Sequence, residues 1–138
     1  MSHAILIVDD SLIIRKALCE LFESEGDFEV CGDAENGKEA VAKAQALHPE
    51  LVILDLSMPV MNGLDATRVL KRLMPEVQVV MFSGHCDPFT EREAFSAGVS
   101  ALVSKSEHIS VLLGKVRSAL ELQEVQRFDP LSASGRRP

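Results

Sequence analysis

The feature that most constrains the fold of this chain is the alternation of short apolar runs with segments in which apolar residues recur at helical spacing. Five runs have the length and composition of strands, and they cover residues 4–8, 28–31, 51–54, 77–82 and 101–103. Between them the spacing is helical, as at Ile14, Leu18 and Phe22. This alternation predicts repeated βα units. We therefore expect an α/β fold, a three-layer α/β/α sandwich with helices on both faces of a five-stranded parallel sheet.

Polar residues follow several of these strands at the point where the strand ends. Asp9 and Asp10 follow the first strand, Asp55 follows the third, Ser83 follows the fourth, and Lys105 stands near the end of the fifth. In a parallel sheet these ends lie at one edge, where open α/β sheets bind ligands. Carboxylates in close proximity repel one another, and each raises the proton affinity of the others unless a cation neutralises them. Hard oxygen ligands with open positions for water suit Mg²⁺ better than Zn²⁺ or copper.

Length and charge limit the classes of protein to which the chain can belong. Its 138 residues predict one domain, which we place at residues 1–123, followed by a flexible tail over residues 124–138. The net charge of −7 argues against direct binding of nucleic acid, which needs a basic face. No apolar run approaches the ~18 residues of a membrane span, and the N-terminus lacks a signal segment. Together with three cysteines in no CxxC pair, this predicts a cytoplasmic protein without membrane contact.

The strand-end residues belong to four motifs that follow one another in a recognisable order. The motifs are Val8-Asp9-Asp10-Ser11, then Asp55-Leu56-Ser57-Met58-Pro59 followed by Met61-Asn62-Gly63, then Ser83-Gly84, and finally Ala97-Gly98 leading to Lys105. Over roughly residues 4–122 they resemble the receiver domain of two-component response regulators. The stretch from residue 55 to residue 105 is most similar in style to receivers of the NarL/LuxR group, which elsewhere carry a helix-turn-helix output. The resemblance implies a flavodoxin-like (CheY-like) sheet of order 2-1-3-4-5.

The resemblance also implies a role for each carboxylate. Asp55 is expected to be the phosphoacceptor, which takes a phosphoryl group from a sensor histidine kinase or a histidine phosphotransfer protein and forms an acyl phosphate. Asp10, Asp55 and the main-chain carbonyl of Ser57 are expected to ligate Mg²⁺, and Asp9 is expected to act mainly through metal-bound water. Catalysis would then rest mostly on positioning and electrostatics. The chain would be a signalling receiver, and not an enzyme beyond its own phosphorylation and dephosphorylation.

Two further residues complete the switch that the resemblance implies. Lys105 is expected to pair with a phosphoryl oxygen, and the Ser83 hydroxyl is expected to donate to another and to draw the following loop inward. Taken alone, Ser83 is typical of a turn and Lys105 of a solvated surface, but their joint placement favours the switch. The chain departs from the family pattern at Leu102, where many receivers carry Tyr or Phe. The aromatic half of the usual coupling is therefore missing at that position.

The output of such a receiver is open between three alternatives. The first is a stand-alone receiver, without an output domain of its own, that binds another protein through the face formed by residues 87–97, 101–103 and 107–123. The second is a phosphorelay intermediate between histidine-containing proteins, and the third is the excised receiver of a DNA-binding transcriptional regulator. A phosphorylation-dependent homodimer through the last strand and its flanking helices is the expected mode of self-association.

Two other classes of protein share part of this pattern. An FMN-binding flavodoxin has the same strand order, but the loop over residues 9–12 is short and acidic where a phosphate cradle needs hydroxyls or glycines. A haloacid-dehalogenase-type phosphatase also uses an aspartate at a strand end, but it needs a second aspartate two residues later, where Ser57 stands. Both classes fit the sequence less well than a receiver does.

Overall fold

The computed structural model describes residues 2–84 and 86–128, which form a parallel sheet covered by helices on both faces. Strands and helices alternate in the order β1 His3–Val8, α1 Leu12–Ser24, β2 Phe28–Ala34, α2 Gly37–Leu47, β3 Leu51–Leu54, α3 Gly63–Leu73, β4 Gln78–Ser83, α4 Pro88–Ala97, β5 Ala101–Ser104 and α5 Ile109–Phe128. The strand order is β2-β1-β3-β4-β5, and neighbouring strands are parallel. The predicted flavodoxin-like α/β sandwich is therefore confirmed.

The central strands lie between two apolar layers, which explains why their sequences are continuously apolar. One face of the sheet packs against α1 and α5 through residues such as Phe22 and Leu112. The other face packs against α2, α3 and α4 through Ala44, Leu70 and Ala94. Burying an aliphatic or aromatic side chain the size of Leu or Phe stabilises a fold by about 1.5–3 kcal/mol. This packing holds the strand ends in place, and the site is built on those ends.

Four helices begin at polar residues whose side chains satisfy the first backbone N–H groups. Ser11, Asn36, Asn62 and Asp87 each accept a hydrogen bond from the N–H three residues later, as an N-cap does. Because α1 and α3 begin directly after the loops that follow β1 and β3, the caps of these two helices also limit the conformations of those loops. At the other end of α4, Gly98 adopts a φ of 112°, the left-handed conformation that glycine tolerates best.

Two elements extend three or more residues beyond their predicted ends. The strand β2 (Phe28–Ala34) extends three residues beyond the predicted end at residue 31, because its polar end pairs with β1 through the backbone. Its register with β1 shifts between Ile5 and Leu6, as in a β-bulge. The helix α5 continues to Phe128, past residue 123, where the apolar periodicity fades. The rest of the predicted tail, residues 129–138, lies outside the described residues, and the division of the chain at residue 123 stays a prediction.

None of the helices in the described part of the chain has both the length and the apolar character that a membrane-spanning segment requires.

Candidate functional site

The register of the sheet brings the ends of β1 and β3 to the same level. Val8 pairs with Leu54, so the next residues, Asp9 and Asp55, leave the sheet side by side. The Asp55 N–H donates to the carbonyl oxygen of Val8 at 3.1 Å, and the Asp9 N–H donates to that of Ala34, also at 3.1 Å. The backbones of both aspartates are therefore held at the carboxyl edge of the sheet.

The three predicted carboxylates form one cluster. Asp9, Asp10 and Asp55 each offer an oxygen atom, and these atoms all lie within 4.8 Å of one another. Asp9 is 2% exposed and Asp55 is 5% exposed, whereas Asp10 is exposed at the rim. Removing a carboxylate from water is costly unless it is paired or bound to a metal. Asp9 and Asp55 are thus in a buried environment, where binding of a cation offsets the largest desolvation cost.

Lys105 lies against the two buried carboxylates. Its Nζ atom is 2.9 Å from Oδ2 of Asp9 and 3.3 Å from Oδ2 of Asp55. Because the one ammonium group contacts two of the three carboxylates, the cluster keeps an excess of negative charge. The four residues thus lie together at the edge of the sheet where the sequence placed them, and their roles in binding a metal and a phosphoryl group stay predictions.

The ionisation of Asp55 and Lys105 reflects this crowding. Burial raises the pKa of Asp55 above its ordinary value, and the negative charge of Asp9 raises it further. The charge and hydrogen bond of Lys105, and a backbone hydrogen bond from Ser57, act in the opposite direction but do not cancel the rise. Burial lowers the pKa of Lys105, but the hydrogen bonds and charges of Asp9 and Asp55 together raise it above its ordinary value. Lys105 is therefore held in its charged form.

Ser57 lies beside the cluster, on the loop between β3 and α3. An open pocket at this place is lined by Asp10, Leu56, Ser57, Met58, Asn62 and Leu64. Ser57 therefore shares a surface with the exposed carboxylate of Asp10. The role of its main-chain carbonyl as a metal ligand stays a prediction.

Ser83, the predicted switch hydroxyl, ends β4 and is fully buried. It pairs with Ser104 in the sheet, and its carbonyl oxygen accepts the N–H of Lys105 at 2.8 Å. The backbone thus joins Ser83 directly to the lysine that contacts Asp55. The part that the Ser83 hydroxyl plays in binding a phosphoryl oxygen stays a prediction.

Leu102, where the chain departs from the family pattern, lies on β5. It pairs in register with Met81 and is half-buried against the layer formed by α2, α3 and α4. A leucine here contributes apolar contacts to that layer and presents no hydroxyl group to a neighbouring loop.

A glycine lets α3 approach the site closely. A Cβ atom on Gly63 would collide with the carbonyl oxygen of Asp55 and with the backbone of Leu56. The Gly63 N–H instead donates to the Leu56 carbonyl oxygen at 2.8 Å, while Asn62 caps the helix. The Asn-Gly pair of the sequence motif therefore determines how tightly the helix packs on the strand end that carries Asp55.

Arg15 belongs to the site, although the sequence did not reveal it. Its Nη1 atom donates to the main-chain oxygen of Asp9 at 2.8 Å, and its Nε atom donates to Oδ2 of Asp33 at 2.8 Å. The available signal was a basic residue one turn into the helix that follows the acidic strand end. Without the fold, that residue is indistinguishable from an ordinary surface charge on a helix.

The donor set fits a hard divalent cation. The cluster consists of three aspartates, two of them buried, and it keeps an excess of negative charge after Lys105 is counted. Carboxylate oxygens are the ligands of Mg²⁺ and Ca²⁺, whereas structural zinc sites use cysteine and histidine. The site therefore has the chemistry of a metal-binding acidic pocket.

The fold and the site define an α/β domain with a doubly wound parallel sheet and an acidic pocket at its carboxyl edge. The sequence profile described as response regulator receiver domain matches residues 5–117. This chain belongs to the family of response regulator receiver domains.

Individual relatives agree with this assignment. The chain is 32% identical over 130 residues to the response regulator protein VraR of Staphylococcus epidermidis, covering 94% of this chain and 61% of that protein. It is 43% identical over 104 residues to the protein-glutamate methylesterase/protein-glutamine glutaminase 1 of Methanosarcina acetivorans, covering 74% of this chain and 30% of that protein. The chain thus spans less than two thirds of the length of these curated relatives.

A solved structure extends the agreement to the fold. The crystal structure of a LuxR-family two-component response regulator from Aurantimonas sp. SI85-9A1 superposes with a TM-score of 0.84 at 27% identity. The superposition covers 88% of this chain and 86% of that one. The predicted resemblance to receivers, including those of the LuxR group, is confirmed.

Proposed function

We propose that this receiver accepts a phosphoryl group on Asp55 and thereby switches a protein-binding face. The observation that carries the proposal is the cluster of three carboxylate oxygens within 4.8 Å, with Lys105 in contact with two of the three aspartates. A structural ion pair would match one lysine with one carboxylate, whereas this cluster holds unbalanced charge at a mostly buried place. Such a site is suited to a ligand that brings positive charge.

Mg²⁺ is the cation that we assign to the site. Asp10, Asp55 and the main-chain carbonyl of Ser57 would ligate it directly, and Asp9 would act mainly through water. The exposure of Asp10 leaves one side of the cluster open to water, which Mg²⁺ retains more readily than most cations. When bound, Mg²⁺ neutralises and aligns the oxygens of the incoming phosphoryl group.

Asp55 is the nucleophile in this proposal. One of its carboxylate oxygens forms a bond to phosphorus, the bond between phosphorus and the imidazole nitrogen of the donor breaks, and the electron pair of that bond stays on the nitrogen. Lys105, whose Nζ already lies 3.3 Å from Oδ2 of Asp55, pairs with a phosphoryl oxygen of the product. The Ser83 hydroxyl donates to another, and the loop after β4 moves with it.

The donor is a phosphohistidine carried by a sensor histidine kinase or a histidine phosphotransfer protein. Leu12 and Ile13, in the first turn of α1, and Val60, in the loop after β3, are exposed apolar residues on the loops and helix ends beside the acidic pocket. Ile13 is 82% exposed and Val60 is 77% exposed. Apolar side chains that stand free beside a charged pocket suit the docking of a protein donor. The net charge of −7 supports a protein and not a nucleic acid as the direct partner.

The output in this proposal is a protein contact made by α4, β5 and α5, either with a downstream protein or in a phosphorylation-dependent homodimer. Phe89 and Phe95 are exposed on α4, where they are available for such a contact. The similarity to the crystal structure of a DNA-binding response regulator of the LuxR family from Staphylococcus aureus, with a TM-score of 0.80 at 27% identity, favours a second candidate, the receiver of a DNA-binding transcriptional regulator. A phosphorelay intermediate is the third. The match to the methylesterase covers 30% of that protein, and we assign no esterase activity to this chain.

Incubation with acetyl phosphate and Mg²⁺, followed by measurement of the intact mass, tests the proposal. We expect one added phosphoryl group on the wild-type protein, and none in the Asp55→Asn variant or after chelation of the metal. Asp65→Asn is the matched control, because Asp65 is an exposed aspartate near the start of α3 and should not affect labelling. An unmodified wild-type mass, under conditions that label another receiver, would overturn the proposal.

A further inference from the structure

The loop between β1 and α1 is tied to the neighbouring strand by one side chain, that of Arg15. Its guanidinium group donates through Nη1 to the main-chain oxygen of Asp9 and through Nε to Oδ2 of Asp33, each at 2.8 Å. Asp33 lies near the end of β2, so the guanidinium connects the ends of two adjacent strands. Two donors of one rigid, planar group are thus used on two different acceptors.

The carbonyl that Arg15 holds belongs to the peptide bond between Asp9 and Asp10. A peptide unit is planar, so fixing the Asp9 carbonyl oxygen also fixes the amide of Asp10. The Asp9 N–H is already bound to the Ala34 carbonyl oxygen at 3.1 Å. Contacts to the peptide units on both sides of Asp9 therefore fix the backbone from which the carboxylates of Asp9 and Asp10 project.

The side chain of Asp9 is restrained as well. Its Oδ1 atom accepts the N–H of Ser11 at 2.9 Å, and its Oδ2 atom lies 2.9 Å from Nζ of Lys105. Each hydrogen-bonding group of Asp9 thus has a partner, and the contact from Arg15 is the one made to its main-chain oxygen.

Burial distinguishes Arg15 from an ordinary surface arginine. The side chain of Arg15 is 12% exposed, whereas that of Arg68, which contacts Asp65 and Glu93 on the surface of α3 and α4, is 48% exposed. Desolvating the guanidinium costs free energy that its pair with Asp33, which is 46% exposed, repays only in part, so the pair is weak evidence for a purely stabilising role. The burial of Arg15 is better explained by the geometry that it imposes on the peptide between Asp9 and Asp10.

We propose that Arg15 is a positioning residue for the acidic pocket: by holding the Asp9–Asp10 peptide against Asp33, it sets the spacing of the carboxylates that receive Mg²⁺. This inference rests on the metal site assigned in the proposed function. Outer contacts that orient metal ligands typically change metal affinity by 10–100-fold when they are removed. Arg15 reaches the pocket through the main-chain oxygen of Asp9 and not through a carboxylate oxygen of the pocket. Because the positioning precedes any phosphorylation, its effect should appear in Mg²⁺ binding before any phosphoryl donor is added.

Calorimetric titration of the unphosphorylated protein with Mg²⁺ tests the inference. We expect Arg15→Gln to weaken Mg²⁺ binding about tenfold, and Arg68→Gln, the matched control, to bind as the wild type does. Arg15→Lys keeps one donor group and should recover part of the lost affinity. Asp33→Asn removes the charge that anchors the guanidinium, and we expect a weaker loss of affinity than in Arg15→Gln.

A double-mutant cycle separates positioning from general damage to the fold. Since Arg15 and Asp33 act through one contact, the double variant Arg15→Gln, Asp33→Asn should lose no more affinity than Arg15→Gln alone. Additive losses, or Mg²⁺ binding by Arg15→Gln within about twofold of the wild type, which is far below the expected range, would overturn the inference. If Arg15→Gln does not fold, as judged by circular dichroism, the Mg²⁺ affinities of Arg15→Lys and Asp33→Asn are compared with that of the wild type instead. Affinities of both variants within about twofold of the wild type would then overturn the inference. Failure of the wild-type protein to bind Mg²⁺ would instead refute the proposed function.

Discussion

The two edges of the same sheet accommodate charge in opposite ways. At the amino edge, the carboxylates have partners: Oε1 of Glu50 lies 3.0 Å from Nδ1 of His3, and Arg117 contacts both Asp27 and Glu25. At the carboxyl edge, three carboxylates lie together, two of them buried, and the ammonium group of Lys105 contacts the two buried ones. Charge that is matched contributes to stability, whereas charge in excess is a cost that a bound ligand can remove. The comparison teaches that one edge holds the fold together and the other is arranged for binding.

The largest expected effect comes from removing a lysine at each edge. Lys105→Met leaves two buried carboxylates without their ammonium partner, and we expect a loss of about 3 kcal/mol in the free energy of unfolding without metal. Mg²⁺ should restore part of this loss, because it binds the folded state. Urea denaturation followed by circular dichroism measures both quantities, since the chain has no Trp or Tyr for fluorescence.

Lys71→Met is the counterpart at the amino edge. Nζ of Lys71 donates to the carbonyl oxygens of Pro75 and Val77 at 2.9 and 2.7 Å. Losing these charged hydrogen bonds should cost about 2 kcal/mol, and Mg²⁺ should restore none of it. A recovery with Mg²⁺ that is equal in the two variants would remove the distinction between the edges.

Neutralising a carboxylate at each edge should change stability in opposite directions. Asp55→Asn removes one of the excess charges, and we expect the free energy of unfolding of the metal-free protein to rise by about 1 kcal/mol, while the proposed phosphorylation is lost. Glu50→Gln removes the charge that contacts His3 and the N–H of Ala4, so we expect a loss of about 0.5–1 kcal/mol. Urea denaturation of both variants beside the wild type shows whether each substitution raises or lowers the free energy of unfolding. Destabilisation by both substitutions would show that the carboxyl edge is no more strained by charge than the amino edge.

Backbone strain offers a smaller test of the same comparison. Among the described residues, the non-glycine residues with positive φ are Val60 at 68°, beside the acidic pocket, and His48 at 52°, at the end of α2 on the opposite edge. The left-handed conformation is more costly for a β-branched side chain than for histidine. We expect Val60→Gly to raise the free energy of unfolding by about 1 kcal/mol and His48→Gly by about half as much. Thermal denaturation measures which of the two substitutions stabilises the fold more. A larger gain from His48→Gly than from Val60→Gly would show that backbone strain is not concentrated beside the acidic pocket.

The smallest effect concerns the pH dependence of the amino edge. The hydrogen bond from Arg117 holds the pKa of Asp27 below its ordinary value of 3.8. Because the folded pKa is the lower one, the pair stabilises the fold above pH 3.8 and loses this contribution as the pH falls through the folded value. Both side chains are about 40% exposed, so solvent screening limits the contribution to a few tenths of a kcal/mol. Asp27→Asn should therefore differ from wild type at neutral pH and converge with it in acid. A difference in stability that grows below pH 3.8 would contradict the assignment.

Sequence patterns predicted the bounds of an element correctly where one strong signal, such as a continuous apolar run, marks the whole element. The run over residues 51–54 coincides with β3, because a strand buried on both faces must be apolar throughout. The far end of β2 was missed because Gly32 and Asp33 are polar or small and pair through the backbone, which leaves no trace in the side-chain pattern. The end of α5 was missed for a similar reason, since a helix can continue after its apolar face stops.

The candidate site was predictable to the extent that it is carried by strand ends. Asp9, Asp10, Asp55 and Lys105 meet because the carboxyl ends of parallel strands share one edge, and the sequence marks each of those ends. The contact of Arg15 depends on how α1 packs beside the end of β2, which no local pattern encodes. The residues that we propose to act directly on a ligand were therefore visible in the sequence, and the residue that we propose to position them was not.

The most direct test of the central claim is the location of the phosphoryl group. Borohydride reduces an acyl phosphate to an alcohol, so treatment of the phosphorylated protein followed by peptide mass spectrometry identifies the modified carboxyl group. We predict that residue 55 alone is converted, and only when Mg²⁺ is present during phosphorylation. Conversion at Asp9 or Asp10 instead, or labelling that persists without a divalent cation, would contradict the account of the site.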